Sequence, residues 1–334
     1  KMKNEPVVFS IIIAFKSWSY NLEECLKRIR KLTFKEFELI LLPDYDMTLA
    51  EEFRDFPIVL CPTGQVNPAI KRDLGGEKAK GRFFAFIDDD AYPQADWLDV
   101  AIKIFNTEQE IGAIGGPAIT PKTDPFWARV SGAVFLSRTS GGFPERYTPC
   151  PPIRVVDDWP TVNLIVRKSV FNQVAGFGSK FWPGEDTLFC LKIVSITSKK
   201  ILYIPELVVW HHRRSELHKH LYQVGNYGLH RGHFASQFPE TSRRVIYFIP
   251  TLWVMFILIG AFLSTLLHSI YILYLVGWAF YLAALAISLK QICRYESTLV
   301  AFATIPYILL SHIWYGIKFV QGFATKNLKS KLGR

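Results

Sequence analysis

The sequence predicts an α/β domain built on a mostly parallel sheet, followed by a C-terminal membrane-embedded helical region, and three observations carry this reading. Short β-branched or apolar runs alternate with helix-like stretches along the N-terminal part. One of those runs, FFAFI from Phe83, ends abruptly in three consecutive carboxylates, Asp88, Asp89 and Asp90. Beyond Arg244 charged residues nearly vanish, and segments 245–267, 269–289 and 299–322 each approach the roughly 20 residues that a membrane-spanning helix needs. The expected division is therefore a catalytic-type domain over 1–240, with a juxtamembrane helix at about 214–238, and a membrane domain over 241–334.

The elements follow in order. Residues 7–14 (VVFSIIIA) lack helical periodicity and read as a strand. Residues 21–32 place Leu22, Leu26 and Ile29 on one helical face, 38–42 and 58–60 read as short strands, and 67–81 reads as a helix feeding the carboxylate-ended strand. Later strands are expected at 112–116, 161–166 and 201–204. Segment 137–152 is rich in Gly and Pro and reads as a mobile loop near the site.

The net charge of +10 suits nucleic acid, an anionic membrane or an anionic substrate. Much of the excess flanks the apolar segments, at Arg243, Arg244, Lys290, Arg294, Lys326, Lys329, Lys331 and Arg334, which favours lipid headgroups over nucleic acid. The five cysteines are scattered without a Cys-x-x-Cys pair, which argues against zinc or a disulfide framework and for a reducing, cytosolic setting. The first apolar run is too short for a cleavable signal peptide. Basic residues before the first span and after the second predict a hairpin with both ends cytosolic. The third segment, broken by Pro306, has Ser311, Tyr315, Lys318 and Gly322 on one face and Leu310, Ile313, Ile317 and Val320 on another. It is expected to lie at, or re-enter, the membrane interface.

A buried strand that delivers three carboxylates to its C-terminal end places them where open α/β sheets bind ligands. Their oxygens suit Mg²⁺ or Mn²⁺ and hence a metal-bridged phosphate; in isolation the triplet reads equally well as an acidic turn.

The ordered series of motifs over roughly the first 240 residues resembles the family-2 glycosyltransferases of the Rossmann-like GT-A fold. VFSIIIA is similar to the first nucleotide-contacting strand, with Ala14-Phe15-Lys16 in place of a proline-bearing ending. ELILLPD, ending at Asp44, is similar to the second, with Pro43 where an acid is common. Gly64, Lys71-Arg72-Asp73 and Ala79-Lys80-Gly81 resemble the pattern leading into the Asp-x-Asp strand, although Lys71 and Asp73 depart from it. Asp88-Asp89-Asp90 with Pro93 and Asp96-Trp97-Leu98 matches closely, and Glu185-Asp186 resembles the family's acidic pair. His211-His212-Arg213-Arg214 and the segment from Gln223 to Gly228 are similar to members acting on lipid-linked glycans at the inner face of a bacterial membrane, and His312 and Tyr315-Gly316 are similar to membrane-attached polysaccharide-assembly members.

The resemblance implies a metal-dependent, inverting transfer of one sugar from a nucleotide-sugar donor to a lipid-linked (polyprenyl) acceptor, with the catalytic domain at the cytosolic side of the inner (plasma) membrane and membrane lipids as partners. The absence of Gln-x-x-Arg-Trp argues for single-sugar transfer. Asp90, Asp88 and His211 are the expected metal ligands. Ala14, Phe15, Asp44, Arg72, Asp88, Asp89, Arg213 and Arg214 are the expected donor contacts. Asp186 is the expected general base, oriented by Glu185; an acid at this point also suits a helix start, where the macrodipole favours it. His212 is a second candidate for the metal site, and a solvated basic turn is the other reading of 211–214. Trp18, Tyr20 and Trp182 are candidate pocket linings, though lone aromatics more often pack. His218, His220, His230 and His233 fall on a helix expected along the membrane surface, without chemistry. Direct transfer to polyprenyl phosphate and a non-catalytic membrane scaffold are the alternatives.

Overall fold

The structure is a computed structural model describing residues 7–330, so Lys331 and Arg334 of the basic tail lie outside the described residues. The chain forms two compact units. One gathers the chain up to Ile119 with Thr148–His212 and Ser330; the other gathers Thr120–Tyr147 with Arg213–Lys329. The second unit thus draws residues from both sides of position 240.

In chain order the first unit contributes β1 (Phe9–Ala14), α1 (Tyr20–Ile29), β2 (Phe37–Leu42), β3 (Ile58–Leu60), α2 (Pro68–Lys78), β4 (Phe83–Ile87), β5 (Ala91–Pro93), α3 (Trp97–Thr107), β6 (Ile111–Gly115) and β7 (Ala118–Ile119). The second unit contributes α4 (Phe126–Ala133) and α5 (Arg138–Gly141). The first unit resumes with β8 (Arg154–Val156), β9 (Asn163–Arg167), α6 (Lys168–Gln173), α7 (Glu185–Ile196), β10 (Lys200–Tyr203) and β11 (Val209–His211). The rest of the second unit is α8 (Leu217–Gln237), α9 (Pro239–Ser242), α10 (Val245–Ser264), α11 (His268–Ile292) and α12 (Thr298–Ala324).

The main sheet of the first unit has the order β3-β2-β1-β4-β9-β6-β10-β8. Strands β3, β2, β1 and β4 run parallel, as do β6 and β10, whereas β9 runs antiparallel between β4 and β6 and β8 antiparallel to β10. The sheet is therefore mixed around a parallel half. Its strands are apolar on both faces because both faces are covered. Ile11, Ile13, Leu39 and Leu41 pack with Leu22, Leu26 and Ile29 of α1. Ile12, Ile40, Phe84 and Phe86 pack on the other side with Phe171 and Phe189. Helix α2 is capped by Asn67, whose side chain accepts from the Ile70 amide at 2.9 Å, and begins with proline at its first turn. It lies tight on the sheet, since a Cβ on Gly75 would come within 2.8 Å of Ile12 and Leu42. A second sheet, β5-β11-β7, sets His211 opposite Ala91 in register.

In the second unit α8 and α12 run side by side in the same direction. Gly225 faces Trp314, Gly228 faces Tyr315 and Lys318, and Gly232 faces Phe319 and Phe323. The start of α10 crosses the pair at Gly316, where Thr251 Oγ1 donates to the Gly316 carbonyl at 3.0 Å. The motif segments around Gln223–Gly228 and Tyr315-Gly316 thus have a packing explanation, small residues that let backbones approach. Replacing Gly232 by Ala would set a Cβ 2.0 Å from the Phe319 carbonyl oxygen, and backbone cannot retreat as a side-chain tip can. Gly232→Ala is expected to cost about 1–3 kcal/mol, read as a lower melting temperature in detergent.

Two sequence expectations are corrected here. Helix α12 runs unbroken through Pro306, with buried Thr304, Tyr307 and Ile308 holding the turn that the missing N–H weakens. The stretch from Ser137 to Arg146 is not a loose loop; it forms α5 and a 3₁₀ turn. Ser137 Oγ donates to Gln291 Oε1 at 2.7 Å, and the Ser140 carbonyl lies 3.0 Å from His312 Nε2, which pins the segment to α11 and α12. By length and composition α10, α11 and α12 are each apolar enough to cross a membrane.

Candidate active site

Strand β4 ends at Ile87 because three like charges cannot continue into a packed sheet. Asp88, Asp89 and Asp90 follow as a turn, closed by the Ala91 amide donating to the Asp88 carbonyl at 3.2 Å, and β5 resumes beyond it. The antiparallel pairing of β11 with β5 then carries His211 alongside, with Nε2 3.1 Å from Asp90 Oδ1. Asp88, Asp90 and His211 each offer a ligand atom, and these atoms lie within 4.8 Å of one another. His211 Nδ1 is buried with no hydrogen-bond partner among the described residues. Burial and the charges of Asp90 and Asp88 push the Asp89 carboxyl up to about 8. Two carboxylates and an imidazole, crowded with a third carboxyl that is held from ionising, fit a divalent cation well.

Arg72 ties this cluster to the acidic pair. Projecting from α2, its Nη2 lies 2.9 Å from Asp88 Oδ1 and its Nη1 2.8 Å from Glu185 Oε1. The Arg72 and Glu185 side chains are only 6% and 5% exposed, so this is a buried brace. Helix α7 begins at Glu185 after Gly184, whose φ of 108° is the left-handed conformation that glycine adopts without strain. Asp186 lies one residue on, half-exposed, its Oδ1 accepting from the Thr187 amide at 2.8 Å. Both readings of the acidic pair thus have support, since the first turn does use a carboxylate on a helix amide.

Burial, then the charge of Asp186, raises the Glu185 carboxyl to about 7, while Arg72 pulls it back. A folded-state value above the ordinary 4.5 of a glutamate means that the native chain binds more protons between the two values. Stability from this group is therefore lost as pH rises through that window. Arg72→Gln removes the compensating cation, so it is expected to cost about 3–5 kcal/mol at about pH 8 and distinctly less at about pH 5, where Glu185 escapes by protonation. Denaturant unfolding at the two pH values checks this.

The structure assigns several sequence-predicted donor contacts other partners. Asp44 is buried, with Oδ1 2.7 Å from Lys71 Nζ, and Lys71 also donates to the Phe15 and Leu42 carbonyls at 2.5 and 2.9 Å. Lys71 thereby joins the ends of β1 and β2. The Phe15 side chain is core, which leaves Ala14 and Phe15 their backbone at the sheet edge. Asp73 accepts from the Phe177 and Gly178 amides at 2.6 and 2.9 Å and braces the loop before α7. Those are the physical uses of the two departures at 71 and 73. His212 turns from the acidic cluster to Glu24, 3.3 Å away, so only His211 of the two joins Asp88 and Asp90. Trp18 packs against Phe53 and Tyr20 is exposed.

Arg213 and Arg214 belong to the second unit. There the Arg213 amide faces Asp124 at 3.4 Å and its guanidinium lies over Tyr147, while Arg214 is exposed. His220 is fully buried between Ser131 and Ser311, and burial lowers its imidazole to about 4, which leaves it neutral near pH 7.

Two supporting residues had no role of their own in the sequence reading. Asn163 accepts from Trp97 Nε1 at 2.9 Å and donates to the Leu207 carbonyl at 2.6 Å, locking the ends of β9 and α3 together. Asp158 accepts from Thr187 Oγ1 at 3.1 Å and so steadies the first turn of α7. A buried-strand Asn amid apolar residues was the available signal for the first; nothing local marked the second.

Residues 10–173 match the family model for glycosyl transferase family 2. A glucosyl-dolichyl phosphate glucuronosyltransferase of Haloferax volcanii is 23% identical over 220 residues, which cover 59% of this chain and 64% of that protein. A pre-mycofactocin glycosyltransferase of Mycobacterium tuberculosis is 24% identical over 184 residues, 54% of this chain and 37% of that protein. The chain thus spans less than two thirds of the length of these curated relatives. Among solved structures, the mannosyltransferase PcManGT from Pyrobaculum calidifontis, in complex with GDP-Man and Mn²⁺, superposes with a TM-score of 0.56 at 15% identity, covering 97% of this chain and 89% of that one, a likeness of fold. The matched region, the mixed α/β sheet and the acidic turn that ends β4 together show that this chain carries a GT-A domain of glycosyl transferase family 2.

Proposed function

We propose that this chain is a metal-dependent, inverting glycosyltransferase that moves a single sugar from a nucleotide-sugar donor to a lipid-linked saccharide at the cytosolic face of a membrane. The observation that carries the reading is the joining of Asp88, Asp90 and His211 to the Glu185–Asp186 pair through one buried guanidinium, Arg72. Asp90, Asp88 and His211 would hold Mg²⁺ or Mn²⁺. When bound, that ion supplies positive charge against the donor diphosphate and the departing nucleoside diphosphate.

The remaining chemistry belongs to side chains. Asp186 takes the proton of an acceptor hydroxyl as that oxygen bonds to the anomeric carbon. The bond from that carbon to the phosphate oxygen breaks, and the nucleoside diphosphate leaves with its electron pair. Attack opposite the leaving group inverts the anomeric configuration. Glu185, fixed by Arg72, keeps Asp186 at the start of α7. Asp89 holds the acidic turn.

The three apolar helices and the flanking cations support membrane attachment, and the relative named for glucosyl-dolichyl phosphate is compatible with a lipid-linked acceptor. Purified chain supplied with labelled nucleotide-sugars and Mn²⁺ is expected to label a polyprenyl-linked saccharide with inverted anomeric configuration by NMR. Retention of configuration, or label appearing only on polyprenyl phosphate, would overturn the proposal.

A further inference from the structure

We infer that α12 does not cross the bilayer but lies along its surface, with α8 on its aqueous side and its outward apolar face seated in the lipid boundary. The inference rests on the membrane attachment proposed above and is independent of the catalytic chemistry. It begins with the asymmetry among the three apolar helices. The most apolar windows of α10 and α11 are 11% and 0% buried, as free spans would be, whereas that of α12 is 39% buried. The first half of α12 is buried by Val130 and Ala133 of α4 with Val134 and Ile292, which pack on Val300, Ala301, Tyr307 and Ile308, and α10 covers Gly316. From Ser311 onward its partner is α8, a helix carrying Lys219, Arg231, two glutamines and four histidines.

The two helices stay together over a long stretch. Contacts run from His220 Nε2 with Ser311 Oγ at 2.9 Å, through the glycines at 225, 228 and 232, to His233 Nδ1 with the Thr325 carbonyl at 2.8 Å. Between Ser311 and Thr325 α12 rises about 21 Å at 1.5 Å per residue. A crossing by α12 would drag α8 and its charges through most of the hydrocarbon, at about 2.5–3.5 kcal/mol for each central Lys or Arg. Lying flat removes that cost.

The other face of α12 is built for such a position. Leu310, Trp314, Ile317, Val320 and Phe323 are exposed at spacings of three or four residues, forming one apolar stripe. Lys318 reaches back so that its Nζ lies 4.9 Å from the Trp314 ring, an apolar stem with a wet head. Arg243, Arg244, Lys326 and Lys329 flank the layer and complement anionic headgroups. Among the described residues the hairpin is then the crossing element: α10 leaves from its contact with Gly316, and α11 returns to Ser137 and Thr139 through Gln291 and Ser288. The occupant of the stripe is thus a lipid bilayer with anionic headgroups.

The test uses the full chain in nanodiscs containing anionic lipid, with Cys61, Cys150 and Cys293 replaced by Ser. Nitroxides are attached singly at Leu310→Cys, Ile317→Cys and Ala324→Cys, which share one side of α12, and their depths are read by oxygen and nickel relaxation. A surface helix is expected to give three similar depths, about 5–10 Å into the boundary. A progressive change of about 21 Å from the first site to the last would overturn the inference. Sidedness supplies an independent reading in sealed vesicles. An impermeant maleimide is expected to reach Asn327→Cys from the same side as Gln237→Cys and Thr265→Cys from the opposite side; Asn327→Cys labelled with Thr265→Cys would contradict the surface position. Loss of transferase activity alters neither readout.

Discussion

Asp90→Ala is expected to abolish measurable Mn²⁺ binding and to lower sugar transfer by about 10²-fold or more. The side chain is 45% exposed and paired with His211, so its removal carries little structural cost. It leaves Asp88, already shared with Arg72, and His211 as the remaining ligand candidates. A divalent ion at a developing charge is worth several kcal/mol, and about 3 kcal/mol corresponds to about 10²-fold in rate. Unchanged melting temperature with lost calorimetric Mn²⁺ binding would separate the role in binding from a role in folding. Unaltered turnover in Asp90→Ala would contradict the assignment.

Asp186→Asn is expected to lower kcat by about 10²–10⁴-fold, the usual contribution of a positioned general base, with donor affinity nearly unchanged. The amide preserves shape and can still accept from the Thr187 amide through its oxygen, so the start of α7 persists. A sugar hydroxyl needs its proton removed, whereas a phosphate acceptor is already ionised near neutral pH. Full activity in Asp186→Asn would therefore move the chemistry toward a phosphate acceptor. Glu185→Gln has a different expected signature. It withdraws one carboxylate from Arg72 and so should lower stability as well as rate.

Much of this arrangement is legible in the chain. The strands of the parallel half, the acidic turn after Ile87 and the helix that begins at Glu185 all follow from local pattern, because buried strands show as apolar runs and like charges end them. The antiparallel insertion of β9 between β4 and β6 is not legible, since strand order is decided by packing remote in sequence. The same holds for the brace: Arg72 was a plausible donor contact by motif, yet its partners lie 16 and 113 residues away. Asp44 shows the limit of motif reasoning most plainly. The change to Lys at 71 is visible in sequence, but that Lys71 reaches Asp44 while also joining the ends of β1 and β2 emerges only in three dimensions. The unbroken course of α12 through Pro306 was equally hidden, because neighbouring helices outweigh the loss of one hydrogen bond.

The most direct measurement is calorimetric titration of nucleotide-sugars into the purified chain with Mn²⁺ and with EDTA, for the wild type and for Asp90→Ala. Binding of one nucleotide-sugar that requires Mn²⁺ and disappears in Asp90→Ala is the expected result. Donor binding of equal strength in EDTA, or binding unchanged by Asp90→Ala, would contradict a metal-held diphosphate at the end of β4.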